Sequence, residues 1–120
     1  MTSSAKSVYF FGLYLYLVGL TLIFVPNLFL QTLHLPETNE VWIRIVGLLA
    51  FVLGFYYHRM AAMNITAFFK LTIPVRLGVF AVFVAFVLLH LAEPVLILIG
   101  AVDLAGAIWT WSALKKEKGM

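Results

Sequence analysis

The sequence predicts an all-α fold, a bundle of four transmembrane helices with both termini on the cytoplasmic side. Three observations predict it. Of the 120 residues, 64% are hydrophobic and only 11% charged, whereas a soluble domain is about 25% charged. The apolar residues fall into four runs, each near the roughly 20 residues that a helix needs to cross a bilayer. The Lys and Arg residues gather at alternate ends of those runs, as the positive-inside rule requires. A mean hydropathy of +1.08 is more apolar surface than a chain of this size can hide from water. An ordinary soluble domain, a disordered chain and a nucleic-acid-binding module are thereby excluded.

The first helix is expected over Val8–Leu30. The run from Val8 to Leu33 carries no charge, is longer than the 7–15 apolar residues of a signal peptide, and lacks a small-residue cleavage site. It reads as an uncleaved anchor. Pro26-Asn27 should kink this helix or end it early, leaving an interfacial extension. The polar turn Leu35-Pro36-Glu37-Thr38-Asn39-Glu40 leads into a second helix over Val41–Met60. Asn39 or Thr38 is expected as its cap, with Glu40 in the favourable first turn. Met63-Asn64-Ile65-Thr66 separates the second helix from a third over Leu71–Leu91, with Pro74 in its first turn. Glu93-Pro94 reverses the chain into a fourth helix over Pro94–Leu114. The connections are too short for an extramembrane domain, so residues 1–120 form one membrane domain.

Charge sets the expected orientation. Lys6, then Arg59, Lys70 and Arg76, then Lys115, Lys116 and Lys118 flank the N-terminus, the middle connection and the C-terminus. The other two connections carry Glu37, Glu40 and Glu93 beside His34 and His90. Counting Lys and Arg puts both termini and the middle loop in the cytoplasm, and a multi-pass protein of the inner membrane is expected. Tyr9, Tyr56, Tyr57, Trp109 and Trp111 are expected at the cytoplasmic interface and Trp42 at the outer one.

Asp103 is the residue hardest to explain as a neutral passenger. It lies mid-span, where insertion scales assign about 2.5–3.5 kcal/mol to an Asp. Gly100, Asp103, Ala107 and Thr110 share one helix face, with Gly106 beside it. That face suits close packing or the lining of a pocket. Arg44 stands one turn into the second helix from its outer end and reaches either inward to Asp103 or outward to Glu40 or Glu93. Gly47 and Gly54 on the same helix should admit a close neighbour. Arg76 and His90 are fourteen residues apart on one face of the third helix. Arg76 belongs to the cytoplasmic half with His58 and Arg59, facing lipid phosphate or a pocket. His90 belongs to the outer half, as an interfacial histidine or an acid–base group. Tyr16, deep in the first helix, needs a hydrogen-bond partner, and Asp103 is a candidate. The ligand-binding set is therefore Asp103, Arg44, Tyr16, His90 and Arg76.

The chain has no cysteine and three scattered histidines, with no i,i+4 pair, so neither a metal site nor a haem is expected. No phosphate loop, dinucleotide fingerprint or nucleophile elbow is present, and no cofactor is expected.

Trp42-Ile43-Arg44-Ile45-Val46-Gly47-Leu48-Leu49, Gly54-Phe55-Tyr56-Tyr57, Arg76-Leu77-Gly78-Val79-Phe80 and Val102-Asp103-Leu104-Ala105-Gly106-Ala107-Ile108-Trp109-Thr110 together resemble small bacterial four-helix membrane proteins of the DoxX-like broad type. The resemblance implies a four-helix fold and makes Arg44, Arg76 and Asp103 the signature polar positions. Some members are associated with quinol oxidation or redox-linked membrane complexes. The chain is also similar in size, and in its in-membrane carboxylate, to sterol-isomerase-like four-helix proteins, although it offers a single deep acid.

The leading function is a polar intramembrane pocket for a lipophilic molecule, a quinone or a lipid, or an accessory subunit of a membrane complex. A membrane isomerase or oxidoreductase using Asp103 as acid or base is the second reading. A small transporter or channel is the third, and it requires a homo-oligomer. The residues leave open whether the chain is an enzyme. No nucleic-acid partner is expected.

Overall fold

The computed structural model describes residues 1–118 of the chain. It is all-helical there, in the order α1 Ser3–Phe24, α2 Pro26–Thr32, α3 Trp42–Ala62, α4 Thr66–Leu88 and α5 Val95–Lys118. All but α2 are long and apolar enough to cross a membrane, and the chain is a multi-span helical membrane protein. The side chain of Lys118, one of the expected tail cations, lies outside the described residues.

The element boundaries differ from expectation for local reasons. Helix α1 starts at Ser3 rather than Val8, because Thr2 caps it by accepting the Ala5 amide at 3.1 Å. Three serines thus enter the helix, and Ser4 and Ser7 are buried. At the other end Pro26 stops α1 and occupies the first turn of α2, where its missing N–H does no harm. The expected cap of the next helix is not made. Val41 precedes α3 without a side-chain bond, while the Thr38 hydroxyl accepts the Glu40 amide at 3.1 Å inside the loop. The Thr38 amide donates to Asn27 Oδ1 at 2.9 Å and ties that loop to α2. Helix α4 starts at Thr66, so Pro74 sits inside it rather than in its first turn. Pro74 leaves the Lys70 carbonyl without its i+4 amide, which transmembrane helices tolerate. Helix α5 runs on into the expected tail.

Three helices end in the same way without glycine. His34, Asn64 and His90 adopt positive φ of 58°, 53° and 60°. The following residues reach back five positions, Leu35 to the Leu30 carbonyl at 2.8 Å, Ile65 to Met60 at 3.1 Å and Leu91 to Phe86 at 2.8 Å. This is the Schellman motif, with Asn and His in the left-handed region that they tolerate better than most residues.

The helices pack as two antiparallel pairs, α1 with α3 and α4 with α5, joined along α1 and α5. Gly12 faces Gly54, and Gly19 faces Gly47. A Cβ on Gly19 would lie 2.7 Å from the Gly47 carbonyl oxygen, and one on Gly47 would lie 2.8 Å from that of Gly19. The neighbour that Gly47 and Gly54 were expected to admit is α1. The apolar core sits at the end that holds the N-terminus, around Ala5, Val8, Phe11, Tyr57, Ala61 and Phe69. Tyr57 is therefore a core residue, not part of an interfacial belt. Thr2 bonds Asn64 and Ser4 bonds Glu117, so the chain start, the α3–α4 turn and the end of α5 share one end of the bundle. The particle measures 50 × 30 × 18 Å, and its long axis spans a bilayer with its headgroups, about 40–45 Å.

The glycine contact gives a paired prediction. Gly47→Ala should destabilise the protein by about 1–3 kcal/mol, since backbone lies on both sides of the added methyl. Gly78→Ala meets nothing within 4 Å and should be neutral or stabilising by up to about 1 kcal/mol. Reversible unfolding in mixed detergent micelles checks both.

Candidate functional site

A guanidinium is buried where the two helix pairs meet. Arg76 on α4 is 1% exposed, and its closest polar neighbours, Thr72 and Thr110, are also buried. Arg76 therefore does not face lipid phosphate. The reason is its partners. Its Nη2 donates to Thr72 Oγ1 at 2.8 Å and to Thr110 Oγ1 at 2.8 Å, and its Nε donates to the Thr72 carbonyl at 3.3 Å. Phe11 and Tyr57 present ring faces to its Cζ, at 5.0 and 5.9 Å. Such faces favour a desolvated cation.

The hydroxyl protons can be assigned along the seam. Thr72 donates to the Phe69 carbonyl at 2.7 Å and Ser7 to the Ser4 carbonyl at 2.6 Å. Each hydroxyl has a single proton, so in the 2.7 Å contact between Ser7 and Thr110 it is Thr110 that donates. Beyond Ser7, Ser4 donates its hydroxyl to Glu117 Oε2 at 2.7 Å and its amide to Oε1 at 3.1 Å. The chain Thr72–Arg76–Thr110–Ser7–Ser4–Glu117 thus links α4, α5 and α1. Glu117 lies at the first turn of α1, where a helix favours a carboxylate.

One donor is left over. Arg76 Nη1 is buried and has no hydrogen-bond partner. It lies against Gly106, where a Cβ would come within 2.9 Å of it and within 3.2 Å of the Phe11 ring. Gly106 and Phe11, with Tyr14, Phe10, Ala105 and Trp109, also line a cavity of ≈ 250 Å³ between α1 and α5. The glycine thins the wall between that cavity and the free N–H.

Asp103 lies one turn before Gly106 and is half-buried. No cationic nitrogen approaches its carboxylate within 4.0 Å among the described residues, but Gly106, one turn on, lies against Arg76 Nη1. The structure thus brings Arg76 and Asp103 to one region and leaves the other expected residues elsewhere. Arg44 is exposed and donates from Nη1 to the Ile23 carbonyl, one of the orphan acceptors where α1 ends. It reaches neither Asp103 nor Glu40 nor Glu93. Tyr16 pairs with His58 Nδ1 at 3.1 Å across α1 and α3, not with Asp103. It is Tyr14 that lies on the Asp103 side. His90 is exposed in its helix-ending position, roughly 21 Å along α4 from Arg76 at 1.5 Å per residue.

Sequence reasoning passed over Ser4, Ser7, Thr72 and Glu117. The i,i+4 pair Thr72/Arg76 was a signal, since a threonine one turn before a mid-span arginine supplies an acceptor at the right height. Nothing local marked Ser4 or Glu117, which lie 113 residues apart. Among the described residues no group of three or more His, Asp and Glu side chains is placed to hold a metal ion. A comparison with protein-family models, curated proteins and solved structures finds no match to this chain.

The hydroxyl relay is testable by a double-mutant cycle. Ser7→Ala and Thr110→Ala should couple by about 0.6 kcal/mol and at most about 1.7 kcal/mol, the range for hydrogen bonds between membrane helices. Unfolding free energies in micelles of the two single variants and the double variant give the coupling, and strict additivity would remove the bond.

Proposed function

We propose that the protein binds a lipophilic small molecule bearing an acceptor oxygen, a quinone or a lipid, in the cavity between α1 and α5. The observation that carries this reading is Arg76 Nη1, a buried charged donor without a partner behind the Gly106 notch. Leaving such a donor unpaired costs about 1–3 kcal/mol or more, and a bound acceptor would recover it. Asp103 already lies near the guanidinium, so the region needs no second anion, and a neutral carbonyl oxygen is the better match. Phe10, Phe11, Tyr14 and Trp109 supply aromatic walls. Mostly apolar lining with a few convergent polar groups is the usual make-up of a small-molecule site. The chain then serves as a binding subunit, as a homo-oligomer or within a larger membrane complex.

The bundle is read as lying in the inner membrane with both termini in the cytoplasm. Lys6, Arg59, Lys70, Lys115 and Lys116 flank the end where the N-terminus meets α5, while Glu37, Glu40 and Glu93 occupy connections at the other. Lys and Arg in short loops favour the cytoplasm.

Two measurements test these readings. The chain has no cysteine, so Ser3→Cys, Asn64→Cys and Asn39→Cys can be labelled one at a time with a membrane-impermeant maleimide on intact cells. Asn39→Cys should react at once, and the other two only after permeabilisation; the reverse pattern inverts the topology. For the pocket, native mass spectrometry of the purified protein with a short-tailed benzoquinone should show a bound species. Ala105→Leu, which fills the cavity from its exposed side, and Gly106→Ala, which closes the notch, should each reduce it at least tenfold. Binding that survives both variants would place the ligand elsewhere.

A further inference from the structure

A second groove lies on the far side of α5 and has a different character. Between α4 and α5, at the end that carries the N-terminus, a cleft of ≈ 570 Å³ is lined by Ile73, Trp111 and Leu114 with Lys70, Lys115 and Glu117. A cavity of ≈ 280 Å³ continues it deeper into the span, lined by Ile73, Leu77, Ala107, Ile108 and Trp111. The two share Ile73 and Trp111. Together they make one furrow with a cationic mouth and an apolar floor.

The register of the two helices sets this polarity. Lys70 and Leu77 are seven residues apart on α4, and so are Ile108 and Lys115 on α5. At 1.5 Å per residue, both lysines stand roughly 10 Å nearer the bundle end than the apolar floor. The Lys115 ammonium lies 4.9 Å from the Trp111 ring, and Trp111 is 53% exposed, an aromatic of the kind that settles at headgroup level. Glu117 also lines the cleft and accepts from Ser4 with both oxygens, which holds its carboxylate at the α1 side of the mouth. Two lysines against one carboxylate leave the mouth net positive.

We propose that this furrow holds an anionic phospholipid, its phosphate between Lys70 and Lys115 and one acyl chain along Ile73, Leu77 and Ile108. Charge complementarity selects the occupant. Two flexible ammonium groups over an apolar channel suit a headgroup that is negative and a tail that runs parallel to the helices. A zwitterionic lipid gains the channel but not the net charge. The site is separate from the Arg76 cavity and stands or falls without it.

The test uses the full chain in vesicles of phosphatidylcholine and phosphatidylglycerol, 4:1, with bromine on the acyl chains of one lipid or the other. Trp42→Phe with Trp109→Phe leaves Trp111 as the reporter, and Trp42→Phe with Trp111→Phe leaves Trp109, which stacks on Phe10 across the α1–α5 side. Brominated phosphatidylglycerol should quench Trp111 with a relative association constant above about tenfold over brominated phosphatidylcholine. Each of Lys70→Gln and Lys115→Gln should lower it about fivefold, the effect of one cation near an anionic surface. Trp109 should show no preference, and Arg59→Gln, an exposed cation at the same end, should leave that of Trp111 unchanged. Equal quenching by the two lipids would overturn the proposal. So would an Arg59→Gln effect as large as that of the lysines, which is diffuse surface charge. Protection of Trp111 from both lipids would mean that another protein surface, such as a second copy, covers the furrow.

Discussion

A guanidinium does not shed its proton in proteins, and in a membrane span it must be surrounded by partners or be drawn to the surface. Arg76 is surrounded. That constraint determines much of what lies near it. Two threonine hydroxyls accept from one nitrogen, two aromatic faces cover the carbon, and a glycine leaves room beside the other nitrogen. The partners come from α1, α3, α4 and α5, so solvating one charge also draws the two helix pairs together. Apolar packing alone would not do this, because lipid tails are as apolar as leucine and offer no net preference for protein contact.

The first pair solves its own association differently. Gly12, Gly19, Gly47 and Gly54 bring the α1 and α3 backbones into direct contact, a gain from dispersion and close fit rather than from polar bonding. The contact also fixes where Phe11 and Tyr57 stand, because each is beside a residue of the glycine stripe. The aromatic cover over Arg76 is therefore a product of the glycine interface. A shift of α1 against α3 would separate those two rings before it reached the threonines.

What was legible in the sequence was whatever depended on composition and period. The four spans, the break at Pro26 and the glycine face on α3 follow from apolar run length, a missing N–H and seven-residue spacing. Helix starts were less legible, because Ser3, Ser4 and Ser7 look like a polar leader until the hydroxyls of Ser4 and Ser7 are seen to have partners on α5. Asp103 drew attention as the deepest charge, yet the hydrogen bonds centre on Arg76, which by distance from the helix end resembled a snorkelling residue. The difference lies in Thr110, which is unremarkable in sequence and becomes an acceptor only once α5 is packed antiparallel to α4. His90 read as an interfacial or acid–base group but, like His34, holds a left-handed turn, a use of histidine that leaves no trace in periodicity.

The division of polar groups between the two sides of α5 bears on how the molecule works. On the α1 side the hydroxyls of Ser7 and Thr110 are used up by one another and by backbone, and the unpartnered Arg76 Nη1 lies behind Gly106, next to a cavity whose lining is mostly apolar and aromatic. On the α4 side the lysines at the furrow mouth are exposed, and Glu117 lines the same cleft while accepting from Ser4. One helix thus separates a mostly apolar recess in the span from a groove with a net cationic mouth at its end. A ligand suited to the first needs an acceptor and no charge, whereas a ligand suited to the second needs a charge and a tail. Because Glu117 both ends the hydrogen-bonded chain at Ser4 and lines the groove, the two sides are joined through the first turn of α1. A change there would reach the recess through Ser7 and the groove through Glu117.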